Sequence, residues 1–94
     1  MPSDNLKTPP NNYTVVITKY AFRKLEKLPT NVRNELNRRI LELENNPRPT
    51  GCKKLVNRQG YRIRYADYRV LYFIEDNVLT VTVIDTGHRK DIYE

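Results

Sequence analysis

The sequence predicts an α+β domain of order β-α-α-β-β-β: an N-terminal strand, a helical hairpin, then a three-stranded antiparallel meander with both helices on one face of the sheet. Three observations carry this prediction. A β-branched, aromatic run occupies 13–18, two stripes of helical period follow on either side of Pro29, and three alternating runs follow Gly60, separated by two-residue turn signals. With 94 residues there is room for one such domain and no second one.

Residues 1–12 (MPSDNLKTPPNN) hold adjacent prolines and little to bury, so they read as a flexible arm preceding a single domain over 13–94. Tyr13 to Thr18 is the first strand. Thr18 is placed to cap a short helix with Ala21, Leu25 and Leu28 on one stripe, and Pro29 stops it. Thr30 is expected to cap a second helix whose buried stripe is Val32, Leu36, Ile40 and Leu43, with Glu35–Arg39 and Arg38–Glu42 as i,i+4 pairs on the wet side. Asn45-Asn46-Pro47 ends it. Arg48 to Gly60 reads as a loop. Strands are expected over 61–65, 68–75 and 78–86, joined by Ala66-Asp67 and Asp76-Asn77.

Composition excludes several classes. The longest apolar run is Val70 to Ile74, far too short to cross a bilayer, and no basic-then-apolar leader opens the sequence. A lone Cys52 and a lone His88 give neither a disulfide framework nor a plausible zinc site, so no cofactor or metal is expected and the expected compartment is a reducing cytoplasm. The net charge is +6. Between Arg48 and Tyr72 lie seven basic residues (Arg48, Lys53, Lys54, Arg58, Arg62, Arg64, Arg69) and one acid, Asp67, so this stretch carries the charge of the whole chain. Clustered positive charge suits a polyanion or an acidic protein partner. A merely solvated basic surface is the bland alternative, and charge alone does not separate them.

Register sharpens the choice. With Ala66-Asp67 as the turn, Arg64 stands opposite Arg69 and Arg62 opposite Leu71. Strand alternation then gathers Arg62, Arg64 and Arg69 on one face and Tyr61, Ile63, Tyr65, Tyr68, Val70, Tyr72 and Ile74 on the other. With Asp76-Asn77 as the second turn, Leu79, Val81 and Val83 join the apolar face, while Thr80, Thr82 and Thr86 join the arginines. Like charges placed directly opposite are unfavourable. Long arginines that splay into water would be a purely structural answer. A preformed anion site is the better one, because guanidinium forks match phosphate oxygens. Past the last strand, Thr86-Gly87-His88-Arg89-Lys90-Asp91-Ile92-Tyr93 adds the single histidine, two cations and a tyrosine.

Two segments, Gly60-Tyr61-Arg62-Ile63-Arg64-Tyr65-Ala66-Asp67-Tyr68-Arg69-Val70-Leu71-Tyr72 and Gly87-His88-Arg89-Lys90-Asp91-Ile92-Tyr93, in this order after a strand and two helices, resemble the RelE toxins of the RelE/ParE toxin–antitoxin superfamily. The resemblance runs from Tyr13 to Tyr93. It implies a cytoplasmic, metal-independent endoribonuclease (an mRNA interferase) that cuts mRNA in the ribosomal A site, and a cognate antitoxin whose acidic segment wraps the toxin in a hetero-oligomer, with no membrane involved. The implied chemistry is attack of the RNA 2′-OH on the adjacent phosphorus. Arg69 matches the family's strand arginine at the scissile phosphate. Arg89 matches the arginine implicated in charge stabilisation or leaving-group protonation. Tyr93 resembles the C-terminal tyrosine that stacks on or orients substrate. Lys53, Lys54, Arg58, Arg62 and Lys90 are the expected RNA-binding residues.

The chain departs from the family at Arg62 and Arg64, where the best-known members carry lysines. A lysine can lose its proton when its pKa is depressed, whereas arginine stays charged and is a poor general base. Arg64 is therefore expected to act electrostatically. Imidazole titrates nearest neutrality, which makes His88 the first candidate for base or acid and Tyr93 the second. Two other functions compete: a ParE-like toxin that inhibits DNA gyrase by protein contact, and an RNA- or ribosome-binding domain without turnover.

Overall fold

A computed structural model describes residues 12–92. The arm over 1–12 lies outside the described residues except for Asn12, and so does Tyr93. The chain runs β1 (Thr14–Ile17), α1 (Lys19–Glu26), α2 (Thr30–Glu42), β2 (Lys53–Lys54), β3 (Tyr61–Tyr65), β4 (Tyr68–Glu75) and β5 (Thr80–His88), with short 3₁₀ turns at Asp76–Val78 and Arg89–Asp91. The strands form one sheet in the order β1-β5-β4-β3-β2. β1 pairs parallel with β5, and the other pairings are antiparallel.

The helices form where the sequence places them. The Thr18 hydroxyl accepts from the Ala21 amide at 3.1 Å and satisfies one of the first-turn donors of α1. The second cap differs from expectation. α2 begins at Thr30 itself, with Pro29 as the flanking residue and no side-chain cap. Proline brings no N–H of its own to be satisfied at this end of the helix. Ala21 and Leu25 of α1 and Val32, Leu36 and Ile40 of α2 pack with Leu43, just past the end of α2, on Ile63, Val70, Tyr72, Val81 and Val83. A fully buried leucine contributes about 1.5–3 kcal/mol, so this layer is the main source of stability. Tyr72 is completely buried, and its hydroxyl donates to the Pro47 carbonyl at 2.8 Å.

The first hairpin has the expected register, Tyr65 opposite Tyr68, Arg64 opposite Arg69 and Ile63 opposite Val70. Ala66 has φ +54°, the sign that primed hairpin turns require at their first central position. The second hairpin differs. Glu75 pairs with Thr80, and the connection is the 3₁₀ turn followed by Leu79 at φ +48°. The Asp76 carboxylate is claimed by Arg48 at 2.8 Å and by the Tyr13 hydroxyl at 2.6 Å, which ties this turn to the far end of the core. The slide is two residues, so strand parity survives. Val81 and Val83 still enter the core, while Leu79 is left at the turn, 41% exposed.

A bulge between Leu71 and Tyr72 then changes the parity of β5. Tyr72 pairs with Val83 and Leu71 with Asp85, so Ile84 has no partner opposite. Thr86 consequently faces the helices and not the arginines. It is fully buried, and its hydroxyl donates to the Ala21 carbonyl at 2.8 Å. The region read as loop contains β2, which extends the sheet beside β3.

Candidate active site

Two rows of directly paired residues cross the open face of the sheet. One runs Lys53–Arg62–Leu71–Asp85 and the next runs Arg64–Arg69–Gly87. Paired residues share a face, so Arg62, Arg64 and Arg69 stand together as the sequence requires. Arg62 and Arg69 are half-buried and Arg64 is exposed; the Nε atom of Arg69 is out of solvent. Gly87 presents no side chain beside Arg69. Of the hydroxyls expected on this face, Thr80 and Thr82 are there but pair with Glu75 and Phe73 toward its other end, and Thr86 is not; beside the arginines lies a small apolar cluster of Leu55, Leu71 and Ile92 with Ile84 packed on it.

Arg89 reaches the same end of the sheet through the 3₁₀ turn. Its amide donates to the Asp67 carbonyl at 2.7 Å, and its Nε lies 3.8 Å from an Asp67 carboxylate oxygen. Both side chains are exposed, so this ion pair contributes little energy; what it supplies is placement next to the Arg64–Arg69 hairpin. His88 is placed differently. It pairs with Tyr68, and its ring packs edge-on against that ring at 5.4 Å, on the helix side of the sheet. Its Nδ1 accepts from the Lys90 amide at 3.1 Å, which leaves Nε2 for any proton transfer. The bulge is the cause: it turns the alternation of β5 so that His88 leaves the arginine face.

The remaining expected residues spread around this centre. Lys53 pairs with Arg62 and shares its face, whereas Lys54 pairs with Tyr61 and points to the other. Arg58 lies exposed in the loop between β2 and β3, and Lys90 lies exposed in the 3₁₀ turn. Arg48, counted with the basic cluster, works elsewhere. It binds Asp76 and the Tyr61 hydroxyl and stacks over the Tyr61 ring at 5.4 Å, and its hydrogen bond is the first cause holding Asp76 below the usual carboxylate range. Among the described residues no three His, Cys, Asp or Glu side chains are grouped to hold a metal ion, and no helix is long and apolar enough to cross a membrane.

Two residues of this region went unnoticed in the sequence. Lys24 lies beside the apolar stripe of α1, and its ammonium lies 2.7 Å from Asp85 and 2.9 Å from the Asp91 carbonyl. No local spacing signals contacts across more than sixty positions.

Residues 15–93 match the family model described as the ParE toxin of the parDE type II toxin–antitoxin system, and the chain belongs to that family, within the RelE/ParE superfamily. No curated protein matches. Solved structures do. The RelBE2 toxin–antitoxin complex of Mycobacterium tuberculosis is 32% identical with a TM-score of 0.72, over 85% of this chain and 94% of that one. The intact RelBE complex of E. coli is 28% identical with a TM-score of 0.71, over 81% and 95%. The YoeB/ParE toxin of Agrobacterium tumefaciens, 17% identical with a TM-score of 0.69 over 80% and 96%, shares the fold.

Proposed function

We propose that this toxin is a metal-independent endoribonuclease that cleaves mRNA in the ribosomal A site. The observation that carries this is the Arg64–Arg69 pair on an open face, with Arg89 tied by Asp67 to the same end of the sheet. In the reaction the RNA 2′-OH attacks the adjacent phosphorus and the P–O5′ bond breaks. The products are a 2′,3′-cyclic phosphate and a 5′-OH. One proton leaves the 2′-OH and one reaches the departing 5′ oxygen. Negative charge grows on the phosphorane, and preorganised guanidiniums stabilise it. Arg69 binds the scissile phosphate, Arg64 adds field, and Arg89 stabilises the leaving group. His88 carries a proton only over the end of the sheet, through Nε2. Tyr93 orients the substrate, and Lys53, Arg58, Arg62 and Lys90 hold the RNA backbone, while Lys54, on the other face of β2, takes no part.

The partner is an antitoxin, since similar chains occur in RelBE toxin–antitoxin complexes, and its segment against the basic 48–72 stretch is acidic, as charge complementarity requires. The toxin works in the cytoplasm. The match to the ParE family model favours a second function, inhibition of DNA gyrase by protein contact. Brief expression without antitoxin separates them: translation arrest with new mRNA 5′ ends supports the ribonuclease, a DNA-damage response with filamentation supports gyrase inhibition, and binding to ribosomes without cleavage supports a domain lacking turnover.

A further inference from the structure

We propose that Lys24 and Asp85 are a positioning pair that fixes the Arg89–Asp91 turn, and with it Arg89, for the reaction at the Arg64–Arg69 pair; this rests on the ribonuclease function proposed above. Lys24 stems from α1, and its ammonium reaches the β5 end of the arginine rows, at Asp85 and beside Gly87, where it joins three segments. It contacts Asp85 of β5 at 2.7 Å and donates to the Asp91 carbonyl at 2.9 Å, at the last residue of the turn that begins with Arg89. The two side chains are only 21% and 14% exposed. A cation this sheltered needs a counter-charge, and Asp85 supplies it.

The surrounding residues are shaped for this contact. Gly87 has φ +150°, and a Cβ there would lie 3.3 Å from Lys24 Cε and 3.9 Å from Ile92 Cγ1. The bare backbone is therefore where the lysine stem passes and where Ile92 docks. Ile92 is 7% exposed against Leu55 and Leu71. The turn is thus held at both ends, by Asp67 on the Arg89 amide and by Lys24 on the Asp91 carbonyl. Three residues of 3₁₀ helix have little stability of their own, so these outside contacts set where the Arg89 guanidinium sits.

Stability alone does not explain the pair. Well-packed apolar residues replace a sheltered ion pair with little or no loss, and they would join α1 to β5 as well. They cannot donate to the Asp91 carbonyl. The double variant Lys24→Met/Asp85→Leu isolates that difference.

The experiment measures single-turnover cleavage on programmed ribosomes, KM, thermal stability and amide exchange over 89–92. The expected result is a melting temperature close to wild type, exchange over 89–92 faster by about tenfold or more, and a saturating rate about 10–100-fold lower with KM within about twofold, as for a catalytic group displaced by about 1 Å. Lys24→Arg, whose guanidinium has donors enough for both partners, is expected to retain most of the rate. If the double variant does not fold, Lys24→Gln against Lys24→Arg makes the same comparison. Wild-type rate and exchange in the variant, or an effect on KM alone, would overturn the proposal while leaving the ribonuclease function standing. A wild-type protein that cleaves nothing would overturn both.

Discussion

Arg64→Gln is expected to stabilise the fold while impairing the site. Arg64 stands directly opposite Arg69 and is exposed; its carbonyl accepts from Arg39 Nη1 at 3.3 Å, a contact the substitution keeps. Directly opposed Cβ atoms lie about 5 Å apart, so splayed guanidiniums stand about 8 Å apart. In water that separation gives a repulsion of about 0.5 kcal/mol, of which about 0.4 survives at 10 mM salt, where the screening length is about 30 Å. Glutamine keeps a polar, hydrogen-bonding head on a shorter stem and removes the charge. For a domain of this size 0.4 kcal/mol raises the melting temperature by about 2–3 °C. Melts of both proteins in 10 mM and 1 M salt measure it, and the gain should vanish in 1 M salt. The rate of RNA cleavage should fall in parallel by about tenfold or more. A lower melting temperature at 10 mM salt, or the same gain at both salt concentrations, would refute the claim that repulsion is stored at this pair.

Arg69→Ala and Arg89→Ala should each lower the single-turnover rate about 100-fold or more, while Lys53→Ala should mainly weaken RNA binding and reduce its salt dependence, as losing a phosphate contact does. His88→Ala should flatten the pH–rate profile near neutrality if Nε2 carries the proton; an unchanged profile passes that role to Tyr93, Lys90 or a ribosomal group. Acid should loosen the fold through Glu35. Hydrogen bonds from Arg38 and then Arg39 lower its pKa from 4.5 to about 2, so its contribution is complete above pH 4.5 and is lost as pH falls toward 2. Glu35→Gln should make unfolding across that range less steep, as followed by circular dichroism.

Much of the fold was legible because it depends on local pattern. The helical stripes ending at Leu28 and Leu43, the Thr18 cap and the Ala66-Asp67 turn are set by neighbours in sequence. The Arg62–Arg64–Arg69 face follows from one turn and the alternation of two strands. What escaped depends on distant contacts. Asp76 looks like the start of a two-residue turn with Asn77, but Arg48 and Tyr13 hold it in a longer one. The bulge beside Leu71 is invisible in a run as regular as Val78 to Thr86, yet it alone sends Thr86 into the core and His88 away from the arginines. Lys24 looks like one more cation on a basic helix until Asp85 and Asp91 are brought to it.

The chemistry of the cut ends tests the arginine-row mechanism most directly. Purified toxin and ribosomes carrying a defined mRNA, without divalent ion beyond what keeps the ribosome intact, should yield a 5′-OH fragment and a partner ending in a 2′,3′-cyclic phosphate or 3′-phosphate. Fragments with a 3′-OH and a 5′-phosphate would contradict 2′-OH attack at the Arg64–Arg69 pair, and intact mRNA alongside inhibited DNA gyrase would contradict ribonuclease function altogether.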